Sequence, residues 1–174
     1  PAFSCRWYGS AMQRQDFVLE EQRANHAAEL FPLLAEPALH EFTDSEAPPS
    51  EAWLPARFRR LESRRSPDAT QLWLNWVIRL SDGNAAGYVQ ATIGAGHSAE
   101  IAFVLGAPYW GRGLAGRATA MMMDRLVRDH AVTRFTATAD TRNARSVKLL
   151  ERLGFTRIGT GDDPNAAFER QARG

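Results

Sequence analysis

Residues 101–126 read IAFVLGAPYWGRGLAGRATAMMMDRL. Ile101, Phe103 and Leu105 recur at the strand period, Pro108 stops the strand, and Gly111, Gly113 and Gly116 crowd into one turn. From Leu114 the period becomes helical, with Leu114, Ala115, Ala118, Met122 and Leu126 on one side. A glycine turn feeding a helix exposes backbone N–H groups that lack intrahelical acceptors, and the helix adds roughly half a positive charge at that end. Such a turn is an anion site. Gly111, Gly113 and Gly116 keep side chains away from a ligand's phosphate, Ala115 is the smallest substitute where bulk is allowed, and the amides from Leu114 onward complete a pyrophosphate cradle. Arg112 and Arg117 are placed either to reach outer phosphate oxygens or to stand as exposed helix residues. No Gly-Lys-Ser or Gly-Lys-Thr follows, so this is not a Walker A loop; its strand closes a meander, so it is not a Rossmann fingerprint.

Working back from the turn, Leu72, Leu74, Trp76, Ile78 and Leu80 alternate with Trp73, Asn75, Val77 and Arg79 in a half-buried strand. SDGNAAG turns this into a second strand at residues 87–93, and GAGH turns that into a third at 100–105. Earlier, a short strand is expected at 17–20, then a helix capped by Asn25 with Ala27, Ala28, Leu30, Phe31 and Leu34 buried and Pro32 kinking or ending it. A second helix capped by Ser50 carries Leu54, Phe58 and Leu61, with the arginines between 57 and 65 on its other faces.

Beyond the long helix lie a strand at 135–139, a helix over 143–153 with Val147, Leu150 and Leu153 inward, Gly154 in the left-handed position that ends it, and short strands near 155–159 and 167–170. This order defines an α+β fold with a mixed sheet. Residues 1–15 read as an N-terminal tail and residues 16–174 as one domain.

Of the 174 residues, 44% are hydrophobic and 24% charged, with a formal net charge of +1, which fits a globular domain and argues against a protein held mainly by nucleic acid or anionic lipid. The arginine-rich run reads as a solvated helix face, with nucleic-acid binding as the other reading. Cys5 is the only cysteine, so no internal disulfide forms and a reducing cytoplasm is expected. No stretch approaches the ~18 apolar residues of a spanning helix, and the first thirty residues lack an unbroken apolar region of ~7–15 residues. His26, His40, His97 and His130 show no ligand spacing, and no metal is expected.

Trp110, Gly111, Arg112, Gly113, Leu114 and Ala115 resemble the acetyl-coenzyme A motif of the GNAT N-acetyltransferase superfamily: Gln or Arg, two variable residues, Gly, one variable residue, then Gly or Ala. Tryptophan at the first position resembles the branch of ribosomal-protein N-terminal acetyltransferases, as does NARSVKLLERLGF, which starts at Asn143. The likeness is strong over residues 71–160 and looser in the two-helix region before it. It implies a mostly antiparallel twisted sheet with a splayed central strand pair, flanked by helices. Acetyl-coenzyme A would be the donor. Backbone groups at Val104 and Leu105 would meet the pantetheine arm, the 111–117 turn its diphosphate, and Asn143 and Ser146 the pantetheine or the departing thiol. The acceptor would be a primary amine of a peptide or a small molecule.

Direct attack needs a neutral amine, whose deprotonation at pH 7 costs about 1 kcal/mol for an α-amine and about 4.6 kcal/mol for lysine. Glu100, pointing opposite to Ile101, Phe103 and Leu105, is a candidate base or an exposed strand-end carboxylate. His97 reads as a surface histidine, and Asp140 as a turn residue near the cleft. Many superfamily members use a tyrosine on the second-motif helix to protonate the thiolate; here that position is Leu150. Ser146 fits better as a hydrogen-bond donor than as a full acid, while Asn143 and Ser146 also read as a helix cap and a solvent-facing serine. Tyr8, Tyr88 and Tyr109 are unaimed. The expected activity is N-acetylation by direct ternary-complex attack; the alternative is a non-catalytic acyl-coenzyme A binding or sensing module. The oligomeric state is not legible.

Overall fold

The alternation over residues 72–80 forms the strand that organises the sheet. The computed structural model describes residues 16–43, 46–159 and 164–172; the proposed tail lies outside them. Strand β2 (Leu72–Leu80) buries Leu74, Trp76 and Ile78 on one face. It pairs antiparallel with β1 (Phe17–Glu21) on one side and β3 (Ala85–Ile93) on the other, and β4 (Ser98–Leu105) completes the meander. Helix α3 (Leu114–His130) then returns the chain so that β5 (Arg134–Asp140) lies parallel to β4. After α4 (Ala144–Arg152), β6 (Thr156–Ile158) forms the outer edge and β7 (Asn165–Gln171) inserts between β5 and β6. The sheet order is β1-β2-β3-β4-β5-β7-β6. This is the α+β fold with a mixed sheet that the pattern predicts, mostly antiparallel as the resemblance implies.

Helices α3 and α4 cover one face. Met122, Leu126 and Leu150 pack there with Ile101, Phe135, Phe155 and Phe168 in the main core, and each large apolar side chain so buried contributes roughly 1.5–3 kcal/mol. The opposite face carries α1 (Ala27–Leu34) and α2 (Leu54–Leu61), which bury Leu30, Leu54 and Phe58 against Val77 and Ala85. On that face β5 carries Arg134, Thr136 and Thr138.

The helix starts differ from the pattern. Asn25 lies within a 3-10 turn (Ala24–His26), and α1 begins after His26, whose Nδ1 accepts the Arg23 N–H at 2.9 Å. Ala28 is exposed; Ala27 occupies the buried position. Pro32 sits in the last turn, two residues before the helix ends. Ser50 does not cap α2. Its carbonyl accepts from Trp53, which precedes the first helical residue. At the other end, Gly154 has the left-handed φ of +84° that follows α4.

Candidate functional site

Two backbone bonds set the phase of the β3–β4 ladder: Gly94 N–H to Ser98 O (3.0 Å) and Gly106 N–H to Ala86 O (2.9 Å). The bonded pairs are then Glu100 with Thr92, Ala102 with Gln90 and Val104 with Tyr88. The main-chain groups of Ile101, Phe103 and Leu105 aim the other way, toward β5. There the ladder is short. Strand β5 meets β4 only from Ser98 opposite Arg134 to Glu100 opposite Thr136. Beyond that rung β4 follows β3 to Leu105 while β5 follows β7 to Asp140, which leaves a V-shaped gap edged by backbone. The expected pair Val104 and Leu105 therefore shifts by one residue. Val104 spends its main chain on Tyr88, and Phe103 and Leu105 face the gap.

The carbonyl of Leu105 has a partner, since Trp110 Nε1 donates to it at 2.6 Å. Trp110 thereby ties the strand end to the turn that follows. In that turn Gly111 and Gly113 take φ of +76° and +68°, and a Cβ at Gly111, Gly113 or Gly116 would meet no heavy atom within 4 Å. The space over the three glycines is open, so tertiary packing does not exclude a side chain there. Arg117 N–H makes the first helical bond, to Gly113 O at 3.2 Å. The amides of Leu114, Ala115 and Gly116 consequently start the 17-residue α3 without intrahelical acceptors. The Leu114 side chain itself is buried in the core.

The two arginines of the turn diverge. Arg112 is exposed. Arg117 is engaged elsewhere: its guanidinium donates to both carboxylate oxygens of Asp16 at 2.6 and 2.8 Å and lies 5.3 Å from the Phe17 ring centre. The bonded guanidinium holds the Asp16 carboxyl below its usual range.

Across the gap, Asn143 caps α4 by accepting the Ser146 N–H on Oδ1 at 3.1 Å, as one reading of the motif expects. Its amide NH2 and the half-buried Ser146 hydroxyl have no protein partner among the described residues. Asp140 is the last residue of β5 rather than a turn residue, and its carboxylate holds the turn that follows: it accepts from Arg142 N–H (2.8 Å) and Nη2 (2.6 Å), and Arg142 lowers its carboxyl pKa. Leu150 is fully buried and supplies no acid.

Glu100 is exposed on the last shared rung, between Thr92 and Thr136. Tyr88 shares its face, but its ring packs with the α1–α2 cluster and burial raises its phenol pKa; Tyr109 packs on the main core, and Tyr8 lies outside the described residues. The arginines between 57 and 65 are on the surface, Arg57 over the Trp53 ring and Arg64 on Glu21. Among the described residues no His, Cys, Asp and Glu cluster suits a metal, and no helix is long and apolar enough to cross a membrane. Arg145 went unnoticed in the sequence; it lies over the Trp110 ring, 4.1 Å from its centre.

An open amide-lined turn beside a splayed strand pair defines a class, and comparison with known proteins gives it a name. Residues 16–156 match the Acetyltransferase (GNAT) domain, so the chain belongs to the GNAT acetyltransferase family. No curated protein matches it. Among solved structures it is similar to spermidine N-acetyltransferase from Vibrio cholerae, in complex with CoA and spermine, at 16% identity and a TM-score of 0.74, covering 90% of this chain and 95% of that one. Aminoglycoside acetyltransferase AAC(6')-Ib in complex with coenzyme A gives 21% and 0.72, with 89% and 94% covered. Ribosomal-protein-S5-alanine acetyltransferase from Vibrio fischeri gives 16% and 0.72, with 90% and 93% covered. At these identities the likeness is one of fold.

Proposed function

We propose that the protein is an acetyl-coenzyme A-dependent N-acetyltransferase that acts on a primary amine, by direct attack within a ternary complex. The observation that carries this reading is the open space over Gly111, Gly113 and Gly116, beside a gap whose β4 edge offers backbone groups of Phe103 and Leu105. Amides of Gly113 to Gly116 would hold the diphosphate, with Arg112 free to join from the rim. Phe103 and the Leu105 N–H would pair with the pantetheine amides and so lead the thioester to the point where β4 and β5 part.

Glu100 stands at that point. It would take the proton released as the amine nitrogen bonds to the acetyl carbon and the carbon–sulfur bond breaks, directly or through water. The Ser146 hydroxyl would donate to the departing thiolate, and the Asn143 amide would orient the pantetheine or the acceptor. The similar structures named above include a spermidine, an aminoglycoside and a ribosomal-protein-S5-alanine acetyltransferase. The tryptophan-led turn and the Asn-x-x-Ser helix favour the ribosomal-protein branch, and hence a peptide α-amine, which asks least of a base.

Thiol release from acetyl-coenzyme A, measured with peptide α-amines, polyamines and aminoglycosides, tests the activity. Release that depends on one amine class supports it. Binding of the carrier with no release on any amine would instead support an acyl-carrier sensor.

A further inference from the structure

Arg145 is the second residue of α4, yet its guanidinium is turned back across the gap and laid on the indole of Trp110, 4.1 Å from the ring centre. Trp110 is itself fixed by its bond to Leu105 O and directly precedes Gly111. A cation stacked on an aromatic face keeps the edge of its fork free, because the ring attracts the charge without using an N–H. Among the described residues Arg145 has no carboxylate partner. Two of its neighbours are engaged, Arg142 with Asp140 and Arg117 with Asp16, while Arg112 stands exposed at the turn. Arg145 thus keeps its donors unpaired beside the amide-lined turn, on the element that carries Ser146.

We propose that Arg145 is a specificity-determining residue for the acyl carrier: held flat by Trp110, it donates to a phosphoryl oxygen of the carrier from the α4 side. The proposal rests on the acetyl-coenzyme A reading above. It adds a second wall to the anion site, so that α3 supplies amides, α4 supplies a charge, and Trp110 sets the distance between them. The same chemistry suits the diphosphate or the ribose 3′-phosphate, and the carrier's own fragments tell them apart.

Calorimetric titration of the full chain and of Arg145→Ala with acetyl-coenzyme A, acetyl-dephospho-coenzyme A and acetyl-pantetheine tests it. The expected result is about a tenfold weaker Kd for acetyl-coenzyme A in the variant, partial rescue by Arg145→Lys, and no change for acetyl-pantetheine, which lacks both phosphate groups. A loss kept with the dephospho carrier assigns the contact to the diphosphate, and a loss abolished there assigns it to the 3′-phosphate. Because Arg145 is exposed, folding should be untouched, as a thermal melt will check. Trp110→Leu should weaken the same carriers, and its combination with Arg145→Ala should lose less than the two separate losses together. Equal affinity of wild type and Arg145→Ala for acetyl-coenzyme A, or an equal loss for acetyl-pantetheine, overturns the proposal. No binding by the wild type overturns the underlying reading instead.

Discussion

Glu100 stands opposite Thr136 on the last rung of the parallel ladder between β4 and β5, and past that rung the strands separate. The carboxylate therefore sits where a chain threaded into the gap must end. Its neighbours there are hydroxyl-bearing Thr92 and Thr136, with no arginine bonded to it among the described residues. A carboxylate so placed remains available to an incoming ammonium.

Replacing Glu100 by Gln keeps the size and removes the base. Turnover at saturating acetyl-coenzyme A, measured with the best amine from the panel, should fall by about 10²-fold with carrier affinity nearly intact. Undiminished turnover would strip Glu100 of this role.

Ser146 and Asn143 separate by different variants. Ser146→Ala should slow turnover by about 10-fold to 10²-fold with carrier affinity nearly intact, because a donor to the leaving thiolate matters most in the transition state. Equal losses in kcat and in affinity would make it a binding residue. For Asn143, Ala removes the α4 cap and should cost about 1 kcal/mol of stability, whereas Asp retains a capping oxygen. Asn143→Asp should therefore keep the melting temperature yet lose turnover. Unchanged turnover in that variant would reduce Asn143 to a cap.

Arg79 fastens α1 to the sheet. Its guanidinium donates to both oxygens of Glu29 at 2.6 Å and to Glu20 at 2.9 Å, and these bonds hold both carboxyls below their ordinary range. A lowered folded pKa gives stability that is present above the unfolded value of about 4.3 and is lost as pH falls through the folded one. Arg79→Met should destabilise by about 1–2 kcal/mol at neutral pH, and its deficit relative to wild type should shrink below about pH 4. Denaturant melts at pH 7 and pH 3 check this; a deficit that does not change with pH would contradict it.

Gly87 is confined by β4. With φ of +151°, a Cβ there would lie 2.1 Å from Val104 O and 2.9 Å from Leu105 Cα, both backbone. Gly87→Ala should cost about 2–4 kcal/mol and should also weaken acetyl-coenzyme A, because the displaced segment is the edge of the gap. Wild-type stability would show that β4 yields freely.

What was legible followed the strong periods. The alternation from Leu72, the shift to helical spacing at Leu114, and Gly154 after α4 each depend on neighbours in sequence, and each holds in the fold. Asn25 is not the cap because other groups fasten that segment: His26 accepts the Arg23 N–H and meets Glu20, and Glu62 accepts the Ala24 N–H; α2 starts after Trp53 rather than at Ser50. Ladder phase escaped for another reason. Alternation says which face a side chain takes, but which neighbour receives the main chain is set by the bonds of Gly94 and Gly106, and so Phe103 was overlooked beside Leu105. Pairings across the chain are similarly silent in a pattern, as for Arg117 with Asp16 and Arg145 with Trp110.

The claim on which the rest depends is that the amides at the start of α3 grip the carrier's diphosphate. Titration of acetyl-coenzyme A into wild type, Gly113→Ala and Gly113→Glu tests it most directly. Both variants share the strain of a side chain at φ +68°, of about 1 kcal/mol, but only Glu puts a carboxylate where a phosphate belongs. The account predicts saturable binding to wild type, a loss within about tenfold for Ala, and at least about 10²-fold for Glu. Undiminished affinity in Gly113→Glu, or no affinity in the wild type, would contradict it.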